Sequence, residues 1–208
     1  MAGKNSFRNH SERKLLVLVD MDQVLCDFEM RLLQEFQSRH PNDPFIPLEE
    51  RRTFYARDQY AKIRADLADN IRDIYNSEGF FRDLPEIPGA CDAMKELKEM
   101  EGVDVFICSS PLTSYEFCLK EKFQWIEEHL GQEWLDKIIL TKDKTVANGH
   151  VLIDDRPNIK GAIRKPIWEH VVFTACHNVH SDIRGKRRLD NWTDGSWRDL
   201  ILDLQMRV

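Results

Sequence analysis

The chain has 208 residues with 42% apolar and 32% charged content, enough for one domain with a good core or a core plus a small insert. A formal charge of −6 argues against a nucleic-acid polymer as the main partner, and no apolar run approaches the ~18 residues of a membrane span. Cysteines at 26, 91, 108, 118 and 176 are odd in number and scattered, which points to a reducing compartment and no disulfide framework.

The first fourteen residues are polar, carry Lys4, Arg8, Arg13 and Lys14, and lack an apolar core, so a secretory signal is not expected. Glu12 and the shortness of the stretch also set it apart from an arginine-rich, acid-poor mitochondrial leader. Leu15 to Val19 is a continuous apolar run, which suits a strand buried on both faces of a parallel sheet. Asp20 and Asp22 follow at once, so the strand delivers two acids to the place where open α/β sheets bind ligands.

Phe28, Leu32, Leu33 and Phe36 recur at helical spacing. A loop with three prolines spans 41–47, and Leu48 to Arg52 opens a helical stretch. Tyr60 to Ile71 reads as a helix with Ile63, Leu67 and Ile71 on one face; Ile71 to Ser77 continues or restarts it, and Gly79 breaks it. A crossover between parallel strands needs only about a dozen residues. The excess marks 29–80 as an inserted helical cap, with 1–28 and 81–208 forming the core; a cap excludes water and selects substrate. Phe80 to Pro85 leads back, and Ala90 to Met100 is an amphipathic helix that buries Met94 and Leu97.

The next strand, from Val103, ends in Ser109, Ser110 and Pro111, and Tyr115 to His129 is a helix stopped by Gly131. The run Asp136 to Leu140 ends in Thr141, Lys142, Asp143 and Lys144; Val151 to Ile153 ends in Asp154 and Asp155. A strand at Val171 completes the set, with 158–164 as a short crossover, and a last helix starts near Arg198. Strands alternating with helices predict an α/β fold: a Rossmann-like, mostly parallel sheet sandwiched by helices.

Acids, hydroxyls, a lysine and more acids at successive strand ends are what phosphoryl transfer with a divalent cation needs. A carboxylate such as Asp20 can attack phosphorus, while Asp22 can protonate the leaving oxygen and later deprotonate water. Asp154 and Asp155 add acids for a hard cation, most simply Mg²⁺. Ser109, Ser110 and the backbone N–H groups of a strand-to-helix turn would cradle an anion, and Lys144 would neutralise it.

Asp20 to Val24, Ile107 to Pro111, Thr141 to Thr145 and Leu152 to Asp155 resemble the four motifs of the haloacid dehalogenase superfamily. The likeness to 5′(3′)-deoxyribonucleotidases extends through Leu67 to Asp69, Gly79 to Phe81, Trp168 to His170 and Cys176 to His180. That resemblance implies Asp20 as nucleophile and metal ligand, Asp22 as acid/base and metal ligand through its carbonyl, and Asp155 as the remaining ligand with Asp154 beside it. It implies that Ser109, Ser110 and Lys144 hold phosphate, and that Phe28, Phe54, Tyr55, Ala56 and Tyr75 enclose base and sugar. The implied substrates are deoxyribonucleoside monophosphates of the dUMP and dTMP type, in the cytoplasm before the mitochondrion. Oligomeric state is left open, a homodimer included.

Three positions depart from the family pattern. Gln23 stands where Gly is usual; at positive φ it would cost ~1 kcal/mol and lie close to the site. Ser109 replaces a commoner Thr, and Lys142 a frequent Arg. Cys176, His177 and His180 could suggest zinc, but three ligands in five residues with no second cluster read as packing. Arg184 to Arg188 reads as a solvated tail rather than a nuclear signal. Two rivals remain: a phosphatase of another small ester such as a sugar phosphate, and a non-catalytic binding protein marked by Gln23.

Overall fold

The computed structural model describes residues 14–207; the leader question at 1–13 falls outside them. The centre is a six-stranded sheet in the order β3-β2-β1-β4-β5-β6 with every pair parallel. Its strands are β1 (Leu15–Val19), β2 (Val103–Ser109), β3 (Ile138–Leu140), β4 (Val151–Asp154), β5 (Glu169–Phe173) and β6 (Arg187–Leu189). β1 lies between β2 and β4, which explains its unbroken apolar run: it has neighbours on both edges and layers on both faces.

Alternate strand residues point to opposite faces. Leu15, Val17, Val19, Val105, Ile107, Ile153 and Phe173 share one large core with helices α4 (Ala90–Glu99), α5 (Cys118–Leu130) and α6 (Ser196–Gln205). Leu18, Cys108 and Leu152 face the other way, where Trp168, Ala147 and Ile159 cover them from loops. The crossover at 158–164 is one of these loops.

Between β1 and β2 the chain makes α1 (Phe28–Arg39), a 3₁₀ turn at Leu48–Glu50, α2 (Ala56–Tyr60) and α3 (Ala65–Tyr75). Leu32, Phe36, Tyr60, Leu67 and Ile71 are buried among these pieces, with the Phe36 and Tyr60 rings 4.9 Å apart. The excursion leaves and returns side by side: Asp27 N–H donates to the Pro85 carbonyl (2.7 Å) and Ile87 N–H to that of Leu25 (2.9 Å). Gly79, at φ 86°, turns the returning chain so that its N–H donates to the buried Glu121 carboxylate of α5 (2.6 Å), joined by Phe81 N–H (3.0 Å).

Several expectations need correction. The helix expected from Leu48 is only the 3₁₀ turn, because Arg51 turns extended to reach Glu29. The helix expected from Tyr60 to Ile71 breaks at 61–64: Arg64 is extended and clasps Asp66 (2.6 Å) and Asp43 (2.7 Å), and Ile63 stands exposed. The helix expected at Tyr115 starts at Cys118, and Asp136 and Lys137 belong to a 3₁₀ turn rather than to β3. β6 begins inside the stretch Arg184 to Arg188, expected to be a solvated tail. Arg188 reaches Asn178 Oδ1 (2.9 Å), and Arg187 reaches Glu169 (2.8 Å) and Asp203 (2.6 Å), as befits a short charged edge strand.

Candidate active site

Beyond the carboxyl end of β1 the chain folds at once into a tight buried turn. Leu25 and Cys26 N–H groups both donate to the Met21 carbonyl (2.8 and 3.1 Å), and Trp192 Nε1 caps the Val24 carbonyl (2.9 Å). Val19, Met21, Val24, Leu25 and Cys26 are fully buried, so Asp20 and Asp22 are held by packing on both sides. Asp20 N–H donates to the Ile153 carbonyl (2.9 Å), which ties the first acid to β4 just before Asp154.

Gln23 sits at φ 61°, the left-handed region that the glycine expectation anticipated. Its Oε1 accepts from Glu29 N–H (2.9 Å) while Asp27 Oδ1 accepts from Met30 N–H (3.0 Å), so two side chains cap α1. The second cap offsets the backbone strain, each being worth ~1 kcal/mol.

Lys144 Nζ lies 2.7 Å from Asp20 Oδ1 and 2.6 Å from Asp154 Oδ2, and all three side chains are buried. Asp154 Oδ1 also accepts from Arg156 N–H (2.8 Å). Burial alone would raise the Asp154 carboxyl, but the Lys144 charge and hydrogen bond hold it below its ordinary value. Asp20 has one cation to share with Asp154, and burial with neighbouring acids pushes its carboxyl up to about 7. Burial first, and then the charges of Asp154 and Asp20, raise the Asp155 carboxyl well above its ordinary value. Three buried carboxylates and one ammonium leave the cluster short of positive charge. Oxygens of Asp20, Asp154 and Asp155 lie within 4.8 Å of one another, a hard-donor set that fits a divalent cation such as Mg²⁺.

The Asp22 side chain turns away from that set. Lys122 of α5 donates to its Oδ1 at 2.5 Å. Burial would lower the Lys122 ammonium, and Asp22 more than restores it.

These acids form the floor of a cavity of about 580 Å³. Phe28, Phe54, Tyr55, Ala56 and Tyr75 line its wall together with Phe81; Ser110, Lys142 and Arg156 line its rim. The Arg156 guanidinium lies 4.8 Å from the Phe54 ring centre and so joins the β4 loop to the wall. Eleven of the twelve residues singled out from the sequence thus share one hollow. Ser109 is the exception: it is 1% exposed, and its Oγ accepts from Lys122 (3.1 Å) behind the surface. The segment after Ser110 is a loop that runs to Phe117, so backbone donors there do not belong to a helix start.

Two buried supports brace the site, of which the Arg51–Glu29 pair carries no signal in the sequence. Arg51 clamps both oxygens of Glu29 (2.9 and 2.8 Å) and also donates to Gln59 Oε1 (3.0 Å), which fixes the stretch leading to Phe54. His177 Nε2 lies 3.3 Å from Asp155 Oδ2, and Asn178 Nδ2 donates to the Asp155 carbonyl (2.6 Å). The second run of donors, Glu29, Cys176 and His177, also comes within 4.8 Å. Both Glu29 oxygens already accept from a buried guanidinium, which opposes another cation and agrees with packing rather than zinc.

A family profile described as 5′ nucleotidase, deoxy (Pyrimidine), cytosolic type C protein matches residues 13–207. The chain belongs to this family. The cytosolic 5′(3′)-deoxyribonucleotidase of Homo sapiens is 49% identical over 91% of this chain and 94% of its own. The mitochondrial 5′(3′)-deoxyribonucleotidase of Homo sapiens is 46% identical over 91% of this chain and 83% of its own. Among solved structures, a haloacid dehalogenase family hydrolase of Deinococcus radiodurans, with bound phosphate and sodium, matches with a TM-score of 0.63. It is 16% identical, covering 93% of this chain and 97% of that one, and so shows the shared fold of this 5′-nucleotidase family member.

Proposed function

We propose that the protein is a Mg²⁺-dependent 5′(3′)-deoxyribonucleotidase that cleaves deoxyribonucleoside monophosphates of the dUMP and dTMP type through an aspartyl phosphate. The observation that supports this best is the carboxylate floor, short of positive charge, under an aromatic wall, in a chain of this family. Residues 29–80 act as the cap and supply all of the wall except Phe28 and Phe81.

In this reading Asp20 attacks phosphorus and the P–O bond to the sugar breaks. Asp22 gives its proton to the departing oxygen, then takes one from the water that hydrolyses the acyl phosphate. Lys144 offsets phosphoryl charge as a point donor. Mg²⁺, held by Asp20, Asp155 and the Asp22 carbonyl, would reduce the repulsion between anionic nucleophile and anionic substrate. The apolar wall leaves a ribose 2′-hydroxyl without a partner, which disfavours ribonucleotides by ~1–3 kcal/mol, or about ten- to a hundredfold. A cytoplasmic location goes with the likeness to the cytosolic relative; among the described residues no helix is long and apolar enough to cross a membrane.

The test is a panel of dUMP, dTMP, UMP and a sugar phosphate, each with and without Mg²⁺. The expected result is metal-dependent release of phosphate that favours the deoxynucleotides. Equal rates on dUMP and UMP would remove the deoxy preference, and a faster sugar phosphate would replace the substrate class.

A further inference from the structure

Two lysines are buried beside the acids, and they divide them. Lys144 serves Asp20 and Asp154; Lys122 serves Asp22. Lys122 is 1% exposed and does not line the cavity, so it cannot be a substrate contact. Its Nζ makes 2.5 Å and 3.1 Å contacts to Asp22 Oδ1 and Ser109 Oγ, lies 3.8 Å from Met21 Sδ, and sits 4.8 Å from the centre of the Phe81 ring. A methionine or leucine would fill this space without a desolvated charge, so packing alone does not explain an ammonium here.

An ammonium only donates. Ser109 Oγ therefore accepts from Lys122, and the hydroxyl's own hydrogen must point away from it. Asp22, whose side chain is 28% exposed toward the cavity, is held on its other side by the same nitrogen. The base of the lysine is itself fixed. The preceding residue, Glu121, accepts from Gly79 and Phe81 N–H groups (2.6 and 3.0 Å), which locks this turn of α5 to the returning chain.

We propose that Lys122 is a positioning residue: from behind the site, braced on the Ser109 hydroxyl, it sets the place of the Asp22 carboxylate for phosphoryl transfer. This rests on the phosphatase reading of the site but not on its nucleotide preference.

The test compares wild type with Lys122→Met and Lys122→Arg, using both dUMP and para-nitrophenyl phosphate with Mg²⁺. For Lys122→Met, kcat on both substrates is expected to fall about 100-fold, the scale of a misplaced general acid–base group, with KM within about threefold. Lys122→Arg recovers part of that loss. Ser109→Ala is expected to cost less in the Lys122→Met background than alone, because the two act as one unit. A folded Lys122→Met protein with unchanged kcat, or strictly additive losses, would overturn the proposal. Should Lys122→Met fail to fold, the Arg variant carries the test: loss of kcat with a retained melting curve supports positioning, and an unchanged kcat refutes the need for this donor geometry. If para-nitrophenyl phosphate is cleaved and dUMP is not, the nucleotide assignment fails while the Lys122 result stands. A crystal structure of either variant gives a readout independent of turnover. Asp22 and Ser109 in unaltered positions in the Met variant would also sink the idea.

Discussion

On the floor of the cavity, Asp20, Asp154 and Lys144 are buried and each is fixed by at least two contacts. On the wall, Phe54 and Tyr55 stand between a 3₁₀ turn and a five-residue helix, and Tyr55 is 53% exposed. The floor grows from ends of adjacent strands, where a shift of one residue would flip every side chain of the shifted strand. The stretch that carries Phe54 is anchored by the buried Arg51–Glu29 pair, by His177 edge-on to Phe54 and by the cover that Arg156 gives Phe54. In the proposed reading, chemistry is thus placed on the stiff part and selection on the adaptable one.

The sharpest way to break this comparison is at the floor. Asp20→Asn is expected to remove turnover by about four orders of magnitude or more while leaving the fold intact, measured as phosphate release and by circular dichroism. A variant that still turns over at the wild-type rate would end the covalent route. At the wall, Arg51→Met leaves Glu29 buried without its partner and is expected to cost about 3–5 kcal/mol of stability, seen in denaturant unfolding. KM should rise more than kcat falls, because the wall moves and the floor does not.

The acid cluster makes its own prediction. The Asp20 carboxyl rises from its ordinary value near 3.8 to about 7 on folding. Between those values the folded state holds more protons than the unfolded one, so without metal the stability supplied by this group is present at low pH and lost as pH rises through about 7. In the proposed reading Mg²⁺ would replace that proton as the counter-charge. The melting-temperature gain from Mg²⁺ should therefore grow as pH rises toward neutrality; a flat gain would argue against metal at this cluster. The smallest effect is at the junction of floor and wall. Gln23→Gly relieves the positive-φ strain but loses a cap on α1, and the net stability change should stay within about 1 kcal/mol. A larger loss would show that the Gln23 cap, rather than the Asp27 cap, holds the start of α1.

What the sequence made visible follows the same division. β1 with its acids, and the acids after β4, were legible because a buried parallel strand is apolar throughout and stops abruptly at charge. The breaks in the wall were not. Ile63, Leu67 and Ile71 repeat at helical spacing although Arg64 interrupts them, since its clasp on Asp43 is a contact between residues far apart in the chain. Lys122 was hidden for a related reason: on an amphipathic helix a lysine reads as solvent-facing, and only the approach of Asp22 and Ser109 from two strands reveals it as buried. β6, with two arginines in three residues, has no apolar pattern to read.

The paired crossing at Asp27–Pro85 and Leu25–Ile87 makes the excursion between β1 and β2 a side branch rather than a link in the sheet. Its length can grow or shrink without altering which strand lies beside which, since the stem closes before the branch begins. In the proposed reading, one roof could therefore be exchanged for another over the same carboxylates, and a new specificity need not disturb the apparatus that cuts the ester.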